Sequence, residues 1–178
     1  MKMILKILVV LAIIIVILLI AALFVKKDYT ISREISINKP RQQVFDYIKH
    51  LKNQDNFSKW VMTDPGMKKD FRGTDGTVGF VYAWDSKNKN AGKGEEEIMQ
   101  IIEGEKLDVE VRFERPFKNT AHTPFTTQMM SPTETKVTWS MIGRNPYPLN
   151  LITLFVDKLL GKDIEASLNN LKGILEKS

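Results

Sequence analysis

The segment from Gly76 to Phe117 constrains the fold most, because it has the pattern of three consecutive β-strands separated by two polar turns. In its first strand, Gly79 to Trp84, large aromatic side chains alternate with small apolar ones. A period of two places Phe80, Tyr82 and Trp84 on one face of that strand. The turn that follows is rich in Lys, Asn and Gly, as in a long hairpin loop. The segment therefore predicts an antiparallel meander.

In the third strand of this meander, one face is apolar and the other is charged. Between Leu107 and Phe113, apolar residues have one parity, and Asp108, Glu110 and Arg112 have the other. Antiparallel sheets show this alternation when one side packs on a core and the other faces water. Similar patterns predict three further strands, at Tyr29–Ile37, Ala121–Met130 and Thr135–Ile142. The sheet would contain about six strands, with a polar loop before Asp75.

Three helices are predicted around this sheet, from apolar residues that recur at intervals of three and four. Their ranges are Pro40–Leu51, Lys52–Trp60 and Leu149–Leu175. The element order is then β-α-α-β-β-β-β-β-α, which belongs to the α+β class. A curved antiparallel sheet whose apolar face is covered by one long helix is a helix-grip fold, with a space between sheet and helix as the candidate site.

A separate feature precedes this domain. Residues 7–25 are nineteen consecutive apolar residues with two lysines on each side. At about 1.5 Å per residue they span roughly 28 Å, close to the hydrocarbon thickness of a bilayer. The sequence therefore predicts a transmembrane helix that contacts the bilayer through residues 4–25. The chain divides into an anchor, residues 1–27, and a domain, residues 28–178.

A cleaved signal peptide is the alternative for this N-terminal segment. The apolar run is longer than a signal peptide usually has, and Ile20 stands where a small residue is preferred before the Ala21-Ala22 pair. An uncleaved, single-pass membrane protein is therefore the preferred interpretation. Basic residues flank the span at both ends, so the positive-inside rule leaves the side of the domain undetermined.

The net charge of +5 belongs to the anchor and not to the domain. Without the four flanking lysines, 22 basic residues face 21 acidic ones. A nucleic-acid partner is therefore not expected, since phosphate contacts need a concentrated basic surface. The chain has no cysteine and only two histidines, so neither a metal site nor a cofactor is predicted.

Two groups of residues are candidates for function. Glu96 could act as an acid or base if it shares the apolar face, although a solvated strand end beside Lys93 is the preferred interpretation of this run of glutamates. His122 begins a strand and could transfer protons if it faces the interior, whereas His50 is expected at the surface. The predicted ligand-binding residues are the large apolar ones near the proposed space: Trp60, Phe80, Tyr82, Trp84, Phe113, Phe125, Met129, Trp139 and Phe155.

Several segments together resemble a known family. They are ISINKPRQQVFDYIKHLKNQDNFSKW, GTVGFVYAWDS, GKGEEEIMQII, VRFERPF and TKVTWSMIG. In this order they resemble the START-like (SRPBCC) superfamily, and within it the bacterial polyketide cyclase/dehydrase group that carries an N-terminal membrane anchor. The resemblance extends over nearly all of residues 29–178. Its motifs mark the fold and not a catalytic signature.

The resemblance implies a cavity between sheet and C-terminal helix that binds hydrophobic molecules such as lipids, sterols or polyketides. The expected function is binding of a hydrophobic or amphipathic, lipid-like molecule by a domain tethered to a bacterial cell membrane. One alternative is a cyclase/dehydrase-type enzyme that uses acid and base groups in the same cavity. Another is an envelope protein-protein interaction module, which an exposed apolar patch around residues 149–160 would favour.

Overall fold

The computed structural model of the chain describes residues 2–177, which form a curved antiparallel sheet of eight strands with helices on its inner face, preceded by an exposed apolar helix. The α-helices are α1 (Lys2–Phe24), α2 (Arg41–Ile48), α3 (Gln54–Phe57), α4 (Lys59–Met62) and α5 (Val156–Leu175). The strands are β1 (Asp28–Ile37), β2 (Lys68–Arg72), β3 (Val81–Asp85), β4 (Lys93–Ile102), β5 (Lys106–Arg115), β6 (Asn119–His122), β7 (Phe125–Ser131) and β8 (Glu134–Arg144).

The strands are hydrogen-bonded in the order β1-β8-β6-β5-β4-β3-β2, and β7 pairs with both β5 and β8. Helix α5 packs along the inner face and buries Ile164, Leu168, Leu171 and Leu175 in the core. These residues recur at three- and four-residue intervals, so they form one stripe of the helix. The predicted helix-grip architecture, with a single long helix on the apolar face of the sheet, is confirmed.

The number of strands differs from the sequence-based expectation of about six. Strand β2 lies within the predicted polar loop, because its sequence, KKDFR, belongs to a sheet edge with little apolar alternation. The predicted strand Ala121–Met130 is divided into β6 and β7. The division falls at Pro124, which has no N–H to contribute to a continuous ladder.

Two predicted helices also have different bounds. The segment Lys52–Trp60 is not one helix but part of a series of single turns: a 3-10 turn at Leu51–Asn53, then α3 and α4. The C-terminal helix begins at Val156, and Leu149–Leu154 before it forms a separate 3-10 helix. Apolar residues recur every three to four residues in both 3-10 helices and α-helices. The sequence pattern therefore did not distinguish the two.

Helix α1 is joined to the domain at its C-terminal end. The Asn150 side chain is fully buried, and its Nδ2 donates to the carbonyl oxygens of Ala22 (2.6 Å) and Val25 (2.8 Å). Those carbonyls have no partner within the helix itself, because the last four of any α-helix lack one. The backbone N–H of Asn145 also donates to the Lys27 carbonyl at 2.9 Å. The domain therefore caps the end of the apolar helix.

We expect Asn150→Ala to loosen this joint. Loss of two buried hydrogen bonds costs about 1–3 kcal/mol, which corresponds to roughly a 5- to 150-fold increase in local opening. The measurement is the rate of tryptic cleavage after Lys26 and Lys27 in the full chain in detergent micelles. Asn169→Ala is the matched control, since the Asn169 side chain bonds only the Glu165 carbonyl on the exposed side of α5. Equal cleavage rates in the two variants would contradict the assigned cap.

Candidate functional site

One row of side chains crosses the inner face of the sheet from β3 to β1. The strand registers pair Tyr82 with Glu96, Glu96 with Val111, Val111 with Ala121, Ala121 with Gly143, and Gly143 with Tyr29. Directly opposed residues in antiparallel strands lie on the same face. The row therefore places a carboxyl group in the middle of an otherwise apolar and aromatic surface.

An aromatic cluster fills the space between this face and the helices. The Trp139 ring stacks on Phe125 with centroids 4.5 Å apart. Phe57 and Trp60 pack edge-on against Trp139, with centroids at 6.2 Å and 5.7 Å. Aromatic pairs prefer these offset and edge-to-face arrangements because of their ring quadrupoles. The middle of the interior is consequently packed by side chains.

The end of the sheet nearest α1 is less tightly covered. Trp84 and Phe113 pack edge to face at 6.1 Å, and both are half-buried. Their rings lie beside Gly94, where a Cβ would come within 2.9 Å of the Trp84 ring. At the other edge of the sheet, the Tyr29 ring of β1 covers Gly143 of β8 in the same way. Glycines at these two positions let aromatic rings lie flat over the strands.

Glu96 is the most unusual group of this interior. Its carboxyl is buried, which raises its pKa to about 8 because burial penalises the ionised form. The Gln54 side chain donates to Glu96 Oε1 at 2.9 Å, which opposes that shift in part. Glu96 is therefore a protonated carboxylic acid near neutral pH, able both to donate a proton and to accept one after ionisation.

A second group of hydrogen-bonded polar side chains lies beside Glu96. Tyr82 Oη donates to Asp55 at 2.7 Å, and Asp55 is also paired with Lys69 at 2.8 Å. Burial, followed by the hydrogen bond to the Asp55 carboxylate, raises the Tyr82 pKa far above its ordinary value. Tyr82 is therefore a fixed hydrogen-bond donor to Asp55 and remains protonated at any physiological pH.

Two buried donors lack a hydrogen-bond partner among residues 2–177: the indole Nε1 of Trp139 and the hydroxyl of Ser58. Trp139 is only 3% exposed, and Ser58 lies between Phe57 and the start of α4. An unsatisfied buried donor costs about 1–3 kcal/mol, so such groups in a native interior call for an explanation. They are available to a polar atom of a bound molecule.

Most of the predicted ligand-binding residues come together in the structure. Phe80, Tyr82, Phe125 and Trp139 are buried, while Trp60, Trp84 and Phe113 are half-buried. Met129 and Phe155 do not join them, because their side chains are 60% and 59% exposed. Met129 lies near the far end of β7, and Phe155 precedes α5. Both were predicted from size alone, which does not report position along an element.

His122 lies outside the interior, contrary to the expectation that it could face it. Its side chain is half-exposed on the outer face of the sheet, with Nδ1 at 3.7 Å from Asp108 and Nε2 at 3.8 Å from Glu110. The outer face also contains Arg112, whose guanidinium pairs with Glu97 and Glu110 at 2.6 Å each. This network is solvated, so His122 is not placed to act on a molecule held inside.

Two surface grooves lie beside β1, one next to the end of α1 and one next to α5. The larger, about 610 Å³, lies between the end of α1 and the outer side of β6 and β8, with Tyr29 and His122 among its lining residues. The smaller, about 380 Å³, lies between β1 and α5. Both are open to solvent, whereas Glu96, Trp139 and Ser58 lie in the interior. We therefore assign the candidate site to the interior, where the unpartnered donors are.

Sequence reasoning missed three residues of this interior: Tyr29, Gln54 and Ser58. Tyr29 begins a strand of otherwise ordinary pattern, and the other two lie in the irregular turns before α4. A polar residue in a short turn gives no sequence signal of burial. Within residues 2–177, no group of three His, Asp or Glu side chains is placed to bind a metal ion.

The fold and this interior define a helix-grip domain of the START-like class. A family model described as "Polyketide cyclase / dehydrase and lipid transport" matches residues 28–176. The chain therefore belongs to that family. No curated protein sequence matches the chain.

Solved structures with the same fold have low sequence identity to this chain. Truncated norcoclaurine synthase from Thalictrum flavum has a TM-score of 0.65 at 9% identity, covering 86% of this chain and 97% of its own. A protein from Mesorhizobium loti has a TM-score of 0.61 at 16% identity, covering 84% of this chain and 98% of its own. Ara h 8.0201 has a TM-score of 0.60 at 13% identity, covering 85% of this chain and 99% of its own. At these identities the likeness concerns the fold alone.

The raised pKa of Glu96 predicts a dependence of stability on pH. The folded chain keeps this proton up to about pH 8, whereas an unperturbed carboxyl loses it near pH 4.5. Between these values the folded state binds more protons than the unfolded state, so the free energy of unfolding falls as pH rises, by at most about 1.4 kcal/mol per pH unit. Glu96→Gln should remove this fall, which urea unfolding at pH 5 and pH 8 would measure.

Glu95→Gln is the matched control for that comparison. Glu95 is the neighbouring residue on the outer face, and hydrogen bonds from Arg72 and Arg112 lower its pKa. A carboxyl whose pKa is lower in the folded chain than in the unfolded chain stabilises the fold at pH values above its unfolded pKa. That stability is lost only as pH falls below this value. Glu95→Gln should therefore retain the loss of stability between pH 5 and pH 8. If Glu96→Gln retains it as well, the burial of Glu96 is wrongly assigned.

Proposed function

We propose that this protein is a single-pass membrane protein whose START-like domain binds an amphipathic, lipid-like molecule between the sheet and α5. The observation that carries the proposal is an aromatic interior with hydrogen-bond donors that have no partner among residues 2–177. These donors are the Trp139 indole and the Ser58 hydroxyl, with the protonated Glu96 carboxyl on the same inner face. The family description, which includes lipid transport, supports the same class of ligand.

The chemistry of the interior selects the ligand. An apolar body would replace contacts within the cluster of Phe57, Trp60, Phe125 and Trp139. A carbonyl, ester or hydroxyl oxygen would accept hydrogen bonds from the buried donors. A ligand carrying a full negative charge is disfavoured, because the nearest interior titratable group is a carboxyl and no arginine or lysine is buried there. The proposal is therefore a neutral or weakly polar lipid-like molecule.

Access requires movement of side chains, because the middle of the interior is packed. Trp84 and Phe113 are half-buried at the less covered end, and Trp60 of α4, which packs on Trp139, is also half-buried. Helix α4 is a single turn. Only a few polar contacts join this region to α5, such as the bond from the Lys59 N–H to Ser167 Oγ at 2.8 Å. We infer that α4 and the Trp60 ring yield to the ligand.

The joint between α1 and the domain supports retention of the anchor. Ala22 is buried against the domain, and the Asn150 amide has both of its partners in the segment Ala22–Val25. Removal of α1 as a signal peptide would leave that buried amide without them, at a cost of about 1–3 kcal/mol. A retained anchor also keeps the binding site at high effective concentration near membrane lipids.

A second candidate function is catalysis in the same interior, and Glu96 is the observation that favours it. A buried carboxylic acid with a pKa of about 8 suits an acid-base step such as loss of water from a hydroxylated carbonyl compound. In that reaction a base removes the proton next to the carbonyl, the carbon-oxygen bond breaks, and an acid protonates the departing hydroxyl. Glu96 would supply one of these two proton transfers.

The binding proposal predicts that a specific molecule remains with the protein. The full chain would be extracted from its host membranes in mild detergent, and the retained small molecules identified by mass spectrometry. Val111→Trp should abolish retention, because it fills the middle of the inner face. Thr138→Trp, on the outer face, should retain as much as the unaltered chain. No enrichment of any molecule over Val111→Trp would contradict the proposal, provided that circular dichroism shows both variants folded.

Trp139→Phe tests the ligand's hydrogen bond to the indole. The substitution keeps an aromatic ring in the cluster but removes an indole donor that has no partner among residues 2–177. Because Phe is smaller than the buried Trp, the free energy of unfolding should fall. Retained ligand should fall about tenfold, the effect of one hydrogen bond of about 1–1.5 kcal/mol. Unchanged retention would show that the indole donor does not contact the ligand.

The catalytic alternative predicts a different outcome for Glu96→Gln. If Glu96 takes part in loss of water, the altered protein should accumulate the substrate, whose mass exceeds that of the product by one water molecule. If the protein only binds, the unaltered chain and Glu96→Gln should retain molecules of the same mass. Mass spectrometry of the two extracts distinguishes these results.

A further inference from the structure

An exposed apolar surface surrounds the point where α1 meets the domain. Five large side chains of the 3-10 helix and the start of α5 are between 42% and 63% exposed. We call this surface the collar; it consists of Leu149, Ile152, Leu154, Phe155 and Leu159. A contiguous exposed patch of this kind marks an interaction surface, since single exposed apolar residues are common but clusters are not.

We propose that the collar inserts into the headgroup region of the bilayer that α1 spans, so that the domain lies on the membrane in a fixed orientation. The inference rests on the membrane anchoring proposed above. It adds a second contact with the bilayer, made by the domain itself. The expected lipid surface is anionic, for the reasons of charge given below.

The position of the collar follows from the joint. Asn150 lies within the collar's sequence and bonds the carbonyls of Ala22 and Val25. The apolar run of α1 ends at Val25. One helical turn along α1 covers only about 5 Å, so the collar lies at the level where hydrocarbon gives way to headgroups. The Tyr147 hydroxyl, 3.4 Å from the Leu19 carbonyl, extends this contact along α1.

Basic residues accompany the collar. Lys26 and Lys27 follow α1, and Lys158 and Lys162 lie on the exposed side of the start of α5. Of the acidic residues nearby, Asp28 is paired with Arg144, and Asp157 is paired with Arg33 at 2.9 Å. A lysine at an anionic membrane surface contributes about 1 kcal/mol of attraction. An apolar stripe with flanking lysines is the pattern of interfacial membrane segments.

The bilayer explains the collar better than a protein partner does. The joint already places these side chains beside the membrane, and a protein bound to them would have to displace the lipids that they contact. The collar also lies at the end of the sheet where Trp84 and Phe113 are half-buried, because β8 ends and β1 begins there. A molecule leaving the bilayer would therefore reach the interior without crossing water.

The test uses the absence of cysteine from the chain, which permits a single spin label at any chosen position. Leu154→Cys and Leu159→Cys report on the collar, and Ile14→Cys reports on α1. Met130→Cys is the matched control, since Met130 is 54% exposed at the opposite end of the sheet. The full chain would be reconstituted in phosphatidylcholine vesicles with phosphatidylglycerol, and accessibility to oxygen and to a water-soluble nickel complex measured by electron paramagnetic resonance.

We expect the ratio of oxygen to nickel accessibility at positions 154 and 159 to be several-fold higher than at position 130, and lower than at position 14. Equal ratios at 154 and 130, with position 14 in the hydrocarbon, would overturn the collar contact while leaving the membrane anchor intact. A label at 154 that is protected from both reagents and becomes more mobile on dilution would indicate self-association, and would also overturn the proposal. A water-accessible label at position 14 would refute the anchor itself.

Discussion

The burial of the sheet's inner face beneath α5 is the constraint on which the rest of the structure depends. Ile164, Leu168, Leu171 and Leu175 each gain about 1.5–3 kcal/mol when removed from water, and they do so only against the apolar side of the sheet. This contact fixes which side of every strand is inside. It therefore decides that Glu96 is enclosed while its neighbours Glu95 and Glu97 face solvent.

An enclosed carboxyl and two unsatisfied donors are costly features for a core that could have been entirely apolar. Gln54 offsets part of the cost at Glu96, but Trp139 and Ser58 have no such compensation within the described residues. Stability alone does not favour this arrangement, since an apolar residue of similar size would avoid the desolvation penalty. The same groups are what a ligand with an apolar body and one polar oxygen requires.

The joint at Asn150 connects the domain to α1. Without it, α1 would be a flexible tether, and the open end of the sheet could face any direction. With Asn150 capping the helix end, the half-buried rim at Trp84 and Phe113 has a defined relation to α1. The exposed apolar residues of the segment 149–159 lie beside the end of this helix, whose own side chains are also apolar and exposed.

The sequence by itself determined the type and order of the main elements. The alternation in Leu107–Phe113 indicated a half-covered sheet, the apolar run of residues 7–25 indicated a membrane helix, and the periodicity after Leu149 indicated the covering helix. Each of these features depends on the spacing of apolar residues within one short segment, so the sequence of that segment is enough to predict it. The polar edge strand β2 and the interruption at Pro124 were missed, because β2 has little apolar pattern and a proline break is local to one peptide group.

Only the tertiary structure decided which polar residues lie inside. Glu96 and His122 were both weak candidates in the sequence, yet strand register places the first against Tyr82 and Val111 and the second between two outer carboxylates. Register depends on contacts between residues distant in the chain, and a shift of one position exchanges the two faces. The burial of Gln54, Ser58 and Asn150 likewise depends on packing between elements, for which a single sequence has no local signal.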